Sequence, residues 1–260
     1  MSGSPVIAIL GLGEAGSAIA SDLVEAGADV RGYDPAAAAG DGIPRAGGPA
    51  EAVAGVDLVL SVTAAAAALD AARTALPALR GGQVYADLNS AGAPLKRELA
   101  ALIEPSGALF ADVALMAPVP GRGVTTPALV SGPGAEQFAG ALRPLGMPVE
   151  VVGPDPGQAA ARKLLRSVFM KGLAASAIEA LAAARAAGCE AWLREEIAGV
   201  LGSADGGALL ERLESGSRRH AARRVHETEQ AAELLRELGI EPRVSEAARG
   251  WLARLRDEAG

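Results

Sequence analysis

Residues 6–16 read VIAILGLGEAG, and no other stretch of the chain restricts its fold as strongly. A short apolar, largely β-branched run, Val6-Ile7-Ala8-Ile9-Leu10, passes directly into Gly11-Leu12-Gly13-Glu14-Ala15-Gly16. Such a run, too short for a core helix and stopped by glycine, reads as a buried strand. A helix-period segment follows from Ala15 to Ala26 and ends at Gly27. A second strand, Asp29–Tyr33, then stops at Asp34. Strand, glycine turn, helix, strand and acid in this order form the first half of a doubly wound dinucleotide-binding fold.

Each residue type has a reason. Gly11 permits a tight strand-to-helix turn, Gly13 lets the backbone approach a pyrophosphate, and Gly16 lets the helix lie close to the strand. The intervening Leu12, Glu14 and Ala15 complete the loop, whose helix N-terminus offers unpaired N–H groups to phosphate oxygens. Asp34 is placed to accept hydrogen bonds from the adenosine ribose and would repel a 2′-phosphate. No Arg or Lys follows between Pro35 and Asp41. The pattern therefore predicts NAD as cofactor, with NADP as the alternative.

The 260 residues suffice for one large or two modest domains. Half are hydrophobic but only 3% aromatic, so the core must be built from Ala, Leu, Val and Ile. A net charge of −7 argues against a nucleic-acid partner. The single cysteine, Cys189, excludes an internal disulfide, suits a reducing cytoplasm and reads as a small apolar residue. No signal peptide is expected, and no run of about 18 uncharged apolar residues that would span a membrane. No metal-ligand cluster and no G-x-S-x-G nucleophile motif is found.

Strand-like runs recur at Val6–Leu10, Asp29–Tyr33, Asp57–Val62, Gln83–Leu88, Ala108–Val113, Ala128–Ser131 and Val149–Val152. Helical segments are expected between them, near Ala15–Ala26, Ala65–Leu76, Pro94–Ile103 and Ala135–Leu145. The alternation predicts an α/β class, with a Rossmann-type, mostly parallel sheet covered by helices on both faces. At Gly153-Pro154-Asp155-Pro156-Gly157 the character changes. One long helix is expected over about 158–187, then helices near Glu190–Leu201, Ser217–Leu238 and Ser245–Glu258. This predicts a dinucleotide-binding domain over 1–155 and a small all-helical domain over 156–260, joined by the long interdomain helix. Apolar residues on several faces of that helix predict a homodimer formed through it and the C-terminal domain.

Positive charge is almost always Arg in this chain; Lys occurs only at Lys96, Lys163 and Lys171. Lys can lose its proton when desolvated, whereas Arg effectively cannot. In helical projection Lys163, Ser167 and Lys171 step by about 40° each and form a narrow polar stripe. To act as a base near neutral pH, a lysine must fall from about 10.4 toward 7–8. Burial beside a positive group such as Arg166 could do this. A surface lysine on a solvated stripe is the competing reading.

Four segments resemble the β-hydroxyacid dehydrogenase group, which includes the 6-phosphogluconate dehydrogenases. These are Gly11–Gly16; Asp87-Leu88-Asn89-Ser90, similar to a D-x-S-T step beside the nicotinamide; Ala117-Pro118-Val119-Pro120-Gly121, similar to an A-P-V-S-G substrate loop; and Gly157-Gln158-Ala159 leading to Lys163 and Ser167, similar to G-x-G-x-x-x-K-x-x-x-N. The resemblance implies Lys163 as the catalytic base on a substrate hydroxyl, with Val62, Thr63 and Asn89 lining the nicotinamide half. It implies Pro118, Val119, Pro120, Gly121, Ser167 and Lys171 near the substrate, a small hydroxy acid bound in a cleft between the domains. Three departures are plain: Pro120 replaces the loop serine, Arg122 the next glycine and Ser167 the helix asparagine. The expected activity is oxidation of a 3-hydroxy acid or sugar acid. Reduction of an imine, or NAD binding without turnover, are the alternatives.

Both histidines lie in Ser217–Glu227, where His220, Arg223, Arg224 and Glu227 share one helical face. A solvated charged face is expected there, with one Arg reaching a substrate carboxylate as the alternative.

Overall fold

The computed structural model describes residues 4–37, 42–202 and 205–258. Seven strands, β1 (Val6–Leu10), β2 (Asp29–Tyr33), β3 (Leu58–Ser61), β4 (Val84–Asp87), β5 (Leu109–Leu115), β6 (Ala128–Ser131) and β7 (Val149–Gly153), form one sheet in the order β2-β1-β3-β4-β5-β6-β7. β1 to β5 are parallel; β6 runs antiparallel to β5, and β7 is parallel to β6. All seven expected strands are present.

Alternation along the strands builds two separate cores. Ile7 and Ile9, with Leu58 and Leu60, face α1 (Glu14–Glu25) and α5 (Ala135–Leu142) through Ile19, Leu23, Phe138 and Leu142. Ala8 and Leu10, with Val59, Tyr85 and Phe110, face α2 (Pro49–Val53), α3 (Ala68–Ala75) and α4 (Ala93–Ile103). Strands buried on both faces are apolar along most of their length, as β1 is throughout; Ser61 and Asp87, at the carboxyl ends of β3 and β4, are buried polar exceptions. The chain leaves β1 for β2 on one side and returns to β3 on the other. The carboxyl ends of β1 and β3 therefore flank a topological switch point, where doubly wound sheets bind ligands.

After the sheet comes α6 (Gln158–Ala186), followed by α7 (Glu190–Gly202), α8 (Gly206–Arg219), α9 (Ala221–Glu237) and α10 (Arg243–Glu258). The chain divides into two compact units, Met1–Arg166 and Ser167–Gly260, so the division falls inside α6. Within the second unit, Glu179 accepts hydrogen bonds from the Val244 and Ser245 amides and the Ser245 hydroxyl, capping α10.

The helical region departs from expectation in two places. The helix predicted over Ser217–Leu238 is two helices, because His220, at φ −118° and ψ 26°, leaves the helical region between α8 and α9. The first of them also begins well before Ser217; Asp205 caps α8 by accepting from the Gly207 amide, which overrides the glycines at its start. Secondly, α6 is long and apolar enough to cross a membrane by length and composition, because its charges are scattered. The same length and composition fit a helix covered by protein.

Candidate active site

The glycine loop has the geometry its spacing demands. Gly11 takes φ +99°, and a Cβ there would stand 2.4 Å from the Val62 carbonyl oxygen. A Cβ on Gly16 would stand 1.9 Å from the Gly11 carbonyl oxygen. The space over Gly13 is open, and a Cβ there would meet nothing within 4 Å. Gly13 is also the N-cap of α1 and offers no side-chain cap to the first-turn amides. The backbone is therefore closed on its protein side and accessible on the other, as a pyrophosphate requires.

Asp34 is bound to this loop. Its Oδ2 accepts from the Leu12 amide at 2.8 Å, and its Oδ1 from the Ala36 and Ala37 amides at 2.8 Å each. Partial burial works against ionisation, but the amides of Ala37, Ala36 and Leu12 and the charge of Arg45 together hold the carboxyl below its ordinary range. With three acceptor positions occupied, Oδ2 retains room for one ribose hydroxyl. Arg45 donates to the Asp34 carbonyl oxygen at 3.0 Å. It lies beyond the cation-free stretch from Pro35 to Asp41, and a β-bridge between Gly32 and Arg45 folds the chain back to bring it here. Residues 38–41 of that stretch lie outside the described residues.

Two cavities meet at Val62, Thr63 and Ala64. One, of about 440 Å³, runs along Gly11, Gly13, Tyr33 and Asp34. The other, of about 360 Å³, is lined by Ala15, Asn89, Ser90, Val119 and Lys163 among others. The first suits the adenosine half of a dinucleotide, and the second adjoins its other end.

Lys163 reaches this second cavity from the second turn of α6. Its Nζ donates to Ser90 Oγ at 3.0 Å. Partial burial lowers its pKa, and the Lys96 charge adds to the effect. The positive group expected from the sequence, Arg166, is exposed and is not what acts on Lys163; Lys96 of α4 is.

Asn89 is 4% exposed, and its amide nitrogen donates to Asp87 Oδ1 at 2.5 Å, with Thr63 Oγ1 at 3.2 Å and Ser61 Oγ at 3.3 Å. Its Oδ1 is buried with no hydrogen-bond partner among the described residues. Of the expected substrate loop, Ala117 and Val119 line the cavity, whereas Pro118, Pro120 and Gly121 do not. Ser167 and Lys171 belong to the second unit; Ser167 is half-buried and Lys171 exposed. The His220 face is occupied locally, Arg224 by Ser217 at 2.7 Å and Arg223 by Glu227 at 3.4 Å.

Residues 6–132 match the model of the NAD binding domain of 6-phosphogluconate dehydrogenase, and residues 184–255 match a domain of unknown function, DUF1932. The N-terminal half of the chain thus belongs with the NAD binding domains of the 6-phosphogluconate dehydrogenase type. A protein from Mycobacterium tuberculosis named probable 3-hydroxyisobutyrate dehydrogenase is 33% identical over 145 residues, 54% of this chain and 49% of its own. The chain thus matches about half the length of that relative. The crystal structure of a conserved hypothetical protein from Sinorhizobium meliloti is 34% identical, covering 97% of this chain and 88% of the other with a TM-score of 0.66. An imine reductase from Myxococcus stipitatus in complex with NADP+ shares the fold, with a TM-score of 0.82 over 98% of this chain and 95% of the other at 23% identity. The family places a nicotinamide dinucleotide in the fold, and the open face of Gly13, the anchored Asp34 and the two joined cavities fit that cofactor.

Proposed function

We propose that this chain oxidises a small 3-hydroxy acid or related sugar acid, with Lys163 as general base. The observation that carries this reading is the Lys163 amine, lowered in pKa by burial and held 3.0 Å from Ser90 Oγ inside the cavity that continues the cofactor groove. Bound there, the nicotinamide would supply the hydride acceptor. Gly11, Gly13 and Gly16 shape the loop for the pyrophosphate, and Asp34 takes one ribose hydroxyl. Lys163 Nζ receives the hydroxyl proton as the carbon loses hydride, and Ser90 Oγ orients the amine by accepting one of its protons. In the reverse direction the ammonium returns that proton to the carbonyl oxygen. Exposed Leu165, Val168 and Phe169 on α6 support a second copy of the chain as the cover of this helix.

The test follows reduced-cofactor absorbance with a panel of 3-hydroxy acids and sugar acids, offered with NAD and with NADP, for wild type and Lys163→Met. Turnover that disappears in the variant is the expected result. Turnover that survives in the variant removes Lys163 from the mechanism. Turnover only with imines, in the reductive direction, would replace the substrate class.

A further inference from the structure

Lys96 takes no part in the proposed proton transfer, yet it is 1% exposed and sits between two wholly buried carboxylates. Its Nζ donates to Asp87 Oδ2 at 2.7 Å and to the Asp87 carbonyl oxygen at 2.7 Å, and lies 3.3 Å from Asp112 Oδ1. Three charged groups inside a sheet domain are costly to bury, and such a cluster often stabilises no more than apolar side chains of similar volume. The use of the remaining carboxylate oxygens is therefore the informative part. Asp87 Oδ1 accepts from the Asn89 amide nitrogen at 2.5 Å. Asp112 Oδ2 accepts from the Gly157 and Ala160 amides at 3.0 Å each, and from Ser131 Oγ at 3.2 Å.

The two carboxylates thus hold two different walls of one cavity. Asp87 fixes which end of the Asn89 amide is nitrogen, and so turns the other end, the partnerless acceptor Oδ1, into a buried group with unmet capacity. A buried acceptor of this kind, on a residue lining a cavity, calls for a donor from a bound molecule. Asp112 fixes the first turn of α6, the helix that carries Lys163. Lys96 is the common counter-ion.

We infer that Lys96 is a positioning residue, whose buried ammonium clamps Asp87 and Asp112 and thereby sets where a bound molecule meets Asn89 Oδ1 and Lys163 Nζ. The direction of its effect on turnover rests on the reading of Lys163 as base, but the clamp itself can be tested without substrate. The charged groups around Lys163 are Lys96 on α4, the Asp87 and Asp112 carboxylates of β4 and β5 bound to it, and Arg162 and Arg166 on its own helix. The lowered pKa of Lys163, to which Lys96 contributes, accords with the arrangement.

The experiment compares the full chain with Lys96→Met, Lys96→Arg and the double variant Lys96→Met/Asp87→Asn. The double variant removes one charge of each sign, leaves the cluster's net charge unchanged, and serves if Lys96→Met alone fails to fold. Competitive acetylation across pH, read by mass spectrometry on the Lys163 peptide, reports the titration of that amine directly. Reduced-cofactor fluorescence reports affinity. In folded Lys96→Met, Lys163 is expected to titrate at higher pH than in wild type; in both neutral variants cofactor is expected to bind roughly three- to tenfold more weakly, and Lys96→Arg is expected to recover most of both. A folded neutral variant with wild-type Lys163 titration and wild-type cofactor affinity overturns the inference. Failure of the base assignment shows elsewhere, as turnover retained in Lys163→Met whatever the Lys96 variants do.

Discussion

Gly157 meets Ala93 at a distance that admits no methyl group: a Cβ on Gly157 would stand 2.8 Å from the Ala93 Cβ and 3.1 Å from its Cα. The contact brings the start of α6 against the start of α4, and Gly157 makes it at φ +98°. Gly157→Ala meets both the clash and the left-handed backbone, and about 1–3 kcal/mol of destabilisation is expected. Gly140 in α5 is the control, exposed and helical with nothing within 4 Å of its Cβ position. Gly140→Ala should stabilise by about 0.5–1 kcal/mol. Thermal denaturation of both variants checks the pair, and a Gly157→Ala as stable as wild type would show that α4 and α6 can separate there freely.

The glycine loop makes a sharper prediction about binding. A Cβ on Gly16 points at the Gly11 carbonyl and one on Gly11 at the Val62 carbonyl, both backbone atoms that cannot rotate away. Gly11→Ala and Gly16→Ala should therefore lose cofactor binding by tenfold or more while retaining the sheet. Gly13→Ala meets no protein atom, so any loss it causes reports on the ligand alone. Calorimetric titration with NADH and NADPH distinguishes the three; equal binding by all three would remove the loop from the cofactor site.

Strand burial and loop chemistry are local, and what depends on them is legible in the sequence. β1 through Asp34 can be laid out from periodicity and three glycines, since the residues that set the turn are adjacent in sequence. The charge that acts on Lys163 cannot be read that way. Lys96 is 67 positions away on another helix, and its neighbour in sequence, Arg97, is an ordinary surface cation; only the crossing of α4 over β4 and β5 buries one and not the other. The division of residues 217–238 into α8 and α9 is hidden for a related reason. His220 is an exposed residue with no helix-breaking chemistry of its own, so nothing in the local sequence marks the break. Arg45 escapes notice because a single β-bridge, between residues 13 apart, returns it to Asp34.

Asp34 predicts a pH dependence of stability. Its pKa in the folded chain lies below the ordinary value, so the unfolded chain takes up its proton first on acidification. The stabilisation is complete above the unfolded pKa of about 3.9 and is lost as pH falls through the lower folded value. Asp34→Asn should accordingly melt at a lower temperature than wild type at pH 7, and the gap should close below about pH 4. Melting curves from pH 7 to pH 3 read this directly. A gap that persists undiminished at low pH would place the stabilisation in shape rather than in charge.

Lys163 predicts the opposite linkage, and with it a conflict between stability and catalysis. Its folded pKa lies below the unfolded value, so near neutral pH the folded state resists a charge that the unfolded chain accepts freely. Stability then rises with pH between the folded and unfolded values, and the penalty is gone above about 10.4. Lys163→Met escapes the penalty and should melt higher than wild type at pH 7, with the difference shrinking toward alkaline pH. The same lowered pKa makes the free amine available for proton abstraction, so kcat/KM for oxidation should rise along a limb whose midpoint lies below that of an ordinary lysine. The reductive direction should lose rate through the same midpoint, because it needs the ammonium. One variant thus reports both sides: more stable and about 10²–10⁴-fold slower. A Lys163→Met protein that is both slower and less stable at pH 7 would mean the amine is held by favourable contacts as an ammonium, and a base would have to be sought among the other groups of the cavity.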